Sequence, residues 1–339
     1  MAKETANQME GVMSRSLLVL PDDSAKSILD AIHAAEKSLH IKMFVFSDPE
    51  LLKAVVAARH RGVKVQVMLN PARRSGEVEN EESRQVLTDG KVEVTDSNPA
   101  FDLTHEKSMV VDDKTAFVYS LNWETKNLME SRDYAIVTDH MHEVAEVKAC
   151  FEADWNRKDF QLGDQAHLVW CKGNARNRIA KLIDGAKETL FVQNERFQDQ
   201  IVIEHLVRAK MRGVKVHVMA RPPHTLKEEK LVEGVGGLRI MDDVGIKIHK
   251  LKHLKLHAKM LLADSSRAII GSINLTPGSF DSRRELAIEV DDAHVIERLQ
   301  KIVHHDWKES CALDLSDKGL LKDLQGRRDA EVIGLCEQK

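Results

Sequence analysis

The chain has 339 residues, enough for two ordinary domains, and its 42% apolar and 31% charged content is typical of a globular protein. Its formal net charge of −4 excludes a global basic field for nucleic acid or anionic membranes, although a local basic patch is compatible with it. The four cysteines have neither the spacing of a zinc cluster nor that of a disulfide framework, which predicts a reducing, cytoplasmic setting.

The first half of the chain alternates predicted strands and helices. Residues 1–16 are polar and lack the apolar core of a signal peptide, so we expect a loose leader. Apolar alternation predicts strands at 17–20, 40–46, 63–69, 90–94, 105–111, 116–120 and 133–137. Helical spacing predicts helices near 24–39, 51–60 and 141–155, and the charged stretch 71–82 is expected to be a surface loop. No run approaches the ~18 apolar residues of a membrane span.

The second half repeats the first. An offset of 151 aligns Gly62–Met68 with Gly213–Met219, and an offset of 152 aligns His105 with His257. The alignment covers 17–155 against 167–307, so one βαβ-rich unit is duplicated. We therefore predict an α/β protein of two homologous repeats with mixed sheets flanked by helices. The predicted segments are a leader 1–16, repeats 17–160 and 161–310, and a C-terminal 311–339 that is either helical or a partly ordered tail.

Each repeat carries a histidine and a lysine at alternate positions of a predicted strand. His105 and Lys107 in the first copy, like His257 and Lys259 in the second, therefore point to one side of their strand, about 7 Å apart. Two imidazoles and two ammonium groups suit substitution at phosphorus through a covalent intermediate. One histidine attacks a phosphodiester, the other protonates the leaving alcohol, and the lysines hold the non-bridging oxygens. We predict no metal and no cofactor for this chemistry.

Further paired residues support these histidines. Asn122 and Asn274 each follow their lysine by fifteen residues, and we expect them to donate to a phosphoryl oxygen. Asp133 and Glu285 each lie 28 residues after a histidine and are predicted to bond an imidazole Nδ1–H. These four residues complete the predicted catalytic set.

Five other polar residues receive lesser roles. Asp112 and Asp264 lie five residues past each lysine, near a turn, and a structural role in bonding backbone is favoured over a catalytic one. Substrate contacts are predicted for Ser120, Ser272 and Lys255.

A basic run from Lys247 to Lys259 contains five lysines and three histidines without an acid. It predicts an electropositive lip, which Arg73, Arg74 and Arg221 would join, that attracts a phosphate-bearing substrate. The alternative is an ordinary solvated edge.

The doubled motif resembles that of the phospholipase D superfamily, in which HxK, four residues, Asp and a GSxN segment occur twice. Gly271-Ser-Ile-Asn274 matches fully, whereas the first copy has Tyr119-Ser-Leu-Asn122 and lacks the glycine. The resemblance is greatest to the bacterial cardiolipin synthase and phospholipase D-like group. It implies repeats related by a pseudo-twofold axis with the site at their interface, a phosphohistidine intermediate, and His105 as nucleophile with His257 as acid.

Three hypotheses for function stay open. The first is a metal-independent phosphodiesterase or phosphatidyltransferase acting on phospholipids, with peripheral membrane contact. The second is an endonuclease acting on DNA or RNA, against which the acidic balance and the 4% aromatic content count. The third is a catalytically idle binding protein on the same fold. The final acceptor, water or an alcohol, and the oligomeric state are left open by the sequence.

Overall fold

The computed structural model describes residues 14–71, 78–163, 167–222 and 228–320, apart from the side chains of 228–233. The described strands of the first repeat are β1 Arg15–Leu20, β2 Ser38–Met43, β3 Lys64–Leu69, β4 Glu93–Asp96, β5 Ser108–Val111, β6 Thr115–Tyr119 and β7 Ser131–Thr138. Its helices are α1 Lys26–Ala34, α2 Pro49–His60, α3 Glu81–Asp89, α4 Thr125–Met129 and α5 Met141–Trp155.

The described part of the second repeat has the same succession of elements, with two additional short strands, β12 and β16. Its described strands are β8 Leu168–Trp170, β9 Thr189–Asn194, β10 Lys215–Ala220, β11 Lys247–Lys250, β12 Lys255–Leu256, β13 Met260–Ala263, β14 Arg267–Gly271, β15 Leu286–Val290 and β16 Cys311–Ala312. Its helices are α6 Ala175–Gly185, α7 Gln200–Met211, α8 Glu228–Asp243, α9 Pro277–Asp281 and α10 Ala293–Lys308.

Each repeat forms one mixed sheet, and the two sheets share one strand order. The order is β1-β7-β6-β5-β2-β3-β4 in the first and β8-β15-β14-β13-β9-β10-β11 in the second. Strands β2, β3 and β4 are parallel, whereas β5, β6, β7 and β1 are antiparallel to their neighbours. The predicted α/β class with two mixed sheets is therefore confirmed.

Helices α2 and α7 occupy the same place in the two repeats, and matching residues define where each begins and ends. Asp48 caps α2 through the backbone N–H groups of Glu50 and Leu51, and Asp199 caps α7 through that of Val202. Both helices are followed by a glycine with positive φ, Gly62 at 96° and Gly213 at 94°. Glycine adopts this conformation without the Cβ clash of other residues, so the chain turns directly into the next strand.

Three hydrophobic cores organise the molecule. One lies within each repeat, between its sheet and its first helices. The third draws on both sheets and both long terminal helices, and it includes Tyr134, Val147, Ile270 and Leu299. Because this shared core contains buried residues of both halves, the repeats pack as one body along it.

Several predicted boundaries differ from the structure. β1 begins at Arg15, inside the segment predicted as leader, because Arg15 is buried against Glu143. β4 begins at Glu93 rather than at residue 90. The stretch predicted as a loop to residue 82 ends in α3, and Cys311–Ala312 pairs with β11 where a helix or tail was expected. Residues 1–13 of the leader, Arg73, Arg74 and residues 321–339 lie outside the described part.

No helix in the described ranges is both long enough and apolar enough to cross a bilayer.

Candidate active site

The two HxK motifs are held by the opposite repeat. The backbone N–H groups of His105 and Glu106 donate to the carbonyl of Arg284, both at 2.9 Å. In the second copy His257 and Ala258 donate to the carbonyl of Arg132, at 3.3 and 2.9 Å. The motifs therefore precede β5 and β13 rather than forming part of those strands, which corrects the predicted strand at 105–111.

Each imidazole is oriented by a carboxylate of the other repeat. Nδ1 of His105 lies 2.9 Å from Oε2 of Glu285, and Nδ1 of His257 lies 2.9 and 3.1 Å from the two oxygens of Asp133. Both carboxylates are fully buried. An Nδ1–H that donates to a carboxylate leaves Nε2 unprotonated in the neutral ring, so Nε2 is the nitrogen available for reaction. The sequence predicts that Asp133 and Glu285 bond an imidazole, and the structure pairs each of them with the histidine of the other repeat.

The two lysines lie between these pairs. Lys107 is fully buried, and its Nζ donates to the carbonyl of His105 at 2.5 Å. Burial, followed by the positive charge of Lys259, holds the pKa of Lys107 well below its usual value. Lys259 donates to the carbonyl of His257 and pairs with Oε2 of Glu195 at 2.9 Å. Because the positive charge of Lys259 contributes to the lowered pKa of Lys107, an anion shared by the two side chains is the natural occupant.

The same charges act on the first histidine. Burial, then the positive charges of Lys107 and Lys259, hold the pKa of His105 well below its ordinary value. His105 is therefore neutral near pH 7, and a neutral imidazole is the nucleophilic form.

The asparagines are close to the motifs but partly engaged. Nδ2 of Asn122 donates to Glu124 at 2.9 Å, which leaves one N–H of that amide for a phosphoryl oxygen. Within the described residues, the carbonyl oxygens of Asn122 and Asn274 are buried without a hydrogen-bond partner.

Ser120 and Ser272, for which the sequence predicts substrate contacts, use their hydroxyls for contacts within the protein. Both serines are fully buried. Ser120 donates to Asp133 at 2.6 Å and accepts from the backbone of Tyr134, while Ser272 accepts from the backbone of Leu286. Their hydroxyls bond a carboxylate of the site or the strand that carries it, so the serines hold the carboxylates in position.

Lys255 also lies apart from the cluster. Its side chain is 67% exposed, and its Nζ is 2.7 Å from Glu130. Although Lys255 has the same parity as His257, its side chain lies in solvent and pairs with Glu130. Lys255 lies on the surface, and its contact with a substrate stays a prediction.

The two motif aspartates have the structural role predicted for them. Asp112 accepts the backbone N–H groups of residues 36, 37 and 38, and Asp264 accepts those of 187, 188 and 189. Burial opposes ionisation, but these bonds outweigh it and lower the pKa of both carboxyls. Each aspartate thus fixes the turn after its HxK strand to the start of β2 or β9.

Two arginines that the sequence analysis did not single out fasten the repeats together. Arg284 donates two hydrogen bonds to Asp154 at 3.0 Å each, and Arg132 donates to Asp306 at 2.8 and 3.0 Å. Each arginine directly precedes the carboxylate of its own repeat that contacts a histidine. The 152-residue offset between Arg132 and Arg284 was the available signal.

A further buried group could be taken for a metal site. Glu106, Cys150 and Asp154 place three ligand atoms within 4.8 Å of one another in the described part of the chain. The Nζ of Lys42 is 2.8 Å from both carboxylates, so an ammonium holds the position between them. These residues fit an internal ion-pair network and do not fit a metal ligand set.

Glu195 is the functional candidate that sequence reasoning missed. Its Oε2 bonds Lys259 and lies 3.7 Å from Nε2 of His257, and its Oε1 is 3.0 Å from Arg221. Although burial raises the pKa of Glu195, the positive charges of Lys259, His257 and Arg221 lower it well below the ordinary value. The carboxylate is therefore ionised beside a reactive nitrogen.

The lowered pKa of His105 predicts how kcat/KM changes as the pH falls below 7. At pH 6 an ordinary histidine is about three-quarters protonated. We expect kcat/KM at pH 6 to remain close to its value at pH 7, because His105 stays neutral until the pH falls below its lowered pKa. Initial rates between pH 4.5 and 8 check this, with intrinsic fluorescence as a control for folding. A rate that falls threefold or more between pH 7 and 6 contradicts it.

Comparison with known proteins places this site in a family. The family model described as "Cardiolipin synthase, PLD-like domain" matches residues 28–155 and again 179–307, together more than half of the chain. The chain belongs to this PLD-like family. Its two matches bracket the two HxK motifs, so the duplication seen in the sequence is a tandem of PLD-like domains.

Relatives of this PLD-like protein differ in length and in name. Cardiolipin synthase B of Salmonella typhi is 24% identical over 341 residues, covering 86% of this chain and 81% of that protein. A polyphosphate kinase of Vibrio cholerae is 24% identical over 338 residues, covering 92% of this chain but 47% of the kinase. The chain thus spans about half the length of that kinase.

A solved structure supports the fold across almost the whole molecule. The phosphatidylserine synthase of Haemophilus influenzae Rd KW20 superposes with a TM-score of 0.66 at 13% identity. It covers 95% of the PLD-like chain and 94% of the synthase. At this identity the likeness concerns the fold, and chemistry rests on the site itself.

Proposed function

We propose that the protein is a phosphatidyltransferase or phospholipase D-like phosphodiesterase that works through a phosphohistidine. The observation that carries this proposal is the pair of crossed histidine–carboxylate contacts around two lysines. Such a site offers a nucleophile, an acid and a place for an anion. A lipid substrate is supported by the relatives, since the chain covers 81% of a cardiolipin synthase but about half of a polyphosphate kinase.

The reaction proceeds in two balanced steps. Nε2 of His105 attacks phosphorus, the bond from phosphorus to the leaving oxygen breaks, and Nε2 of His257 gives its proton to that oxygen. An alcohol or water then attacks phosphorus and gives its proton to His257, and the phosphorus–nitrogen bond breaks. Lys107 and Lys259 stabilise the negative charge that builds on the non-bridging oxygens. Glu285 and Asp133 keep each imidazole in the reactive tautomer.

Other substrates use the same chemistry and remain competing hypotheses. A nuclease would place a nucleic-acid backbone between the lysines, and a polyphosphate kinase would place a phosphate chain there. The charge near the site favours neither, because Glu195 adds a carboxylate beside His257 and Lys259, and this carboxylate repels a polyanion. We propose that the lipid is met from the aqueous side, at a membrane surface.

One comparison of substrates tests the function. Purified protein is incubated in EDTA with phosphatidylglycerol vesicles, with single-stranded DNA, and with ATP plus polyphosphate. We expect turnover of the lipid alone, at the same rate with and without EDTA. Turnover of DNA or polyphosphate alone contradicts the lipid assignment. Loss of activity in EDTA contradicts the metal-free mechanism, and no turnover of any substrate favours an idle binding protein.

A further inference from the structure

The pseudo-twofold symmetry of the site is broken at one position beside each histidine. In the first repeat the ring of Phe44 lies 4.8 Å from that of His105, and Nζ of Lys107 is 5.0 Å from the centre of the Phe44 ring. In the second repeat the equivalent residue, 151 positions later, is Glu195. A ring against one imidazole is thus replaced by a carboxylate against the other.

Backbone contacts establish that equivalence. Phe46, two residues after Phe44, bridges Trp123, and Phe197, two residues after Glu195, bridges Leu275. Trp123 and Leu275 are 152 positions apart. Phe44 and Glu195 therefore occupy one position of the repeat.

The asymmetry extends beyond a single pair. Phe44 belongs to a small apolar cluster with Val45 and Leu103, separate from the three main cores. Every member of the cluster has a charged counterpart in the second repeat. The counterparts are Glu195, Arg196 and Lys255. At this position, therefore, an aromatic ring lies beside His105 and a carboxylate lies beside His257.

In the proposed reaction, the leaving alcohol and the acceptor alcohol both lie on the His257 side of the site. In the proposed reaction the leaving alcohol takes its proton from Nε2 of His257, and the acceptor alcohol returns a proton there. Oε2 of Glu195 lies 3.7 Å from that nitrogen. A hydroxyl on the carbon next to the reacting one would sit beside this oxygen, which accepts hydrogen bonds.

We propose that Glu195 is a specificity residue that selects an alcohol carrying a second hydroxyl beside the reacting one. The inference rests on the proposed phosphodiester transfer and deepens it. A simple alkyl alcohol would place a methyl group against an ionised carboxylate and would add no hydrogen bond to those from Lys259 and Arg221. An amino alcohol is also disfavoured, because Lys259 and Arg221 already supply two positive charges to Glu195. The apolar cluster faces the substituent that stays on phosphorus.

The acceptor is the partner that can be varied most simply. Hexyl p-nitrophenyl phosphate serves as donor, because its leaving group reports transfer to His105 without requiring a lipid. Glycerol, 1-propanol and ethanolamine are then offered at equal concentration, and the products are measured by phosphorus NMR. In each transfer the phosphorus–nitrogen bond breaks, a phosphorus–oxygen bond forms, and the alcohol proton passes to His257.

The wild-type protein is expected to favour glycerol over 1-propanol by about tenfold or more, as a hydrogen bond to a charged group allows, and to disfavour ethanolamine. Glu195→Phe, which copies the first repeat, should bring the glycerol-to-propanol ratio close to one. Glu195→Gln keeps an acceptor oxygen and should retain part of the preference. The ratio divides out any general loss of rate caused by freeing Lys259. Glu204→Gln, on the exposed face of α7, is the matched control and should keep the full ratio.

The outcomes separate the two proposals. Release of p-nitrophenol with equal use of glycerol and propanol by the wild-type protein refutes the role of Glu195 and leaves phosphodiester transfer standing. A preference for glycerol over propanol that survives in Glu195→Phe also refutes the role of Glu195. Failure to release p-nitrophenol refutes the proposed function, and the inference falls with it. Selective use of glycerol with no turnover of phosphatidylglycerol supports the role of Glu195 and refutes only the lipid.

Discussion

The His105→Ala variant is expected to lose at least about 10³-fold in kcat, because it removes the atom to which phosphorus is transferred. His257→Ala should lose a similar factor on substrates whose leaving alcohol needs a proton. It should behave differently with a p-nitrophenyl ester, whose leaving group departs as a stable anion. There His105 still attacks, and the phosphorylated protein accumulates because the acceptor is no longer deprotonated.

Intact-protein mass spectrometry and rapid-quench kinetics measure both effects. The covalent adduct should be stable to base and labile to acid, as expected for a phosphohistidine, and should map to His105. His142→Ala replaces an exposed histidine of α5 and serves as the control. Near-normal rates in both variants, or an adduct on another residue, contradict the assigned roles.

The second large effect concerns stability. Asp154 is fully buried and accepts from Lys42 at 2.8 Å, from Asn98 at 3.1 Å and twice from Arg284. Asp154→Ala leaves two cations buried without this partner, and breaking a buried pair in this way costs about 3–5 kcal/mol. We expect the melting temperature to fall by roughly 10 °C. Asp30→Ala breaks an exposed pair on α1 and should change it by less than about 2 °C.

The pH dependence supplies an independent check on the same residue. Burial raises the pKa of Asp154, but Lys42 and Arg284 outweigh burial and lower it to about 2. A depressed carboxyl pKa stabilises the fold above the ordinary value of the unfolded chain and loses that effect as the pH falls through the folded value. The difference in melting temperature between wild type and Asp154→Ala should therefore be constant from pH 7 to 5 and narrow below about pH 4. A difference that is largest at pH 3 contradicts this account.

The sequence was sufficient for the fold and for the residue types of the site. Apolar alternation predicted the strands, and one offset revealed both HxK motifs together with Asp133 and Glu285. These signals are periodic, and periodicity reports which face a residue occupies within its own repeat. It does not report which repeat the residue contacts. The crossing of Glu285 to His105 therefore required the structure.

The remaining differences have similar physical causes. Ser120 and Ser272 have the polarity of substrate ligands, but strand geometry directs their hydroxyls to the carboxylates. Lys255 lies two residues from His257, yet it is turned to solvent. Glu195 was missed because the offset that selects matching residues passes over a position where the repeats differ. A residue type that occurs in only one of the two repeats cannot be recognised by matching the repeats to each other.

The crossed pairing has a consequence for how the protein becomes active. Each histidine depends on a carboxylate of the other repeat, and the arginine before each carboxylate holds the opposite terminal helix. A newly made chain whose repeats have not yet met has no oriented imidazole in either half. In the proposed mechanism, activity therefore begins only when the two repeats have packed together.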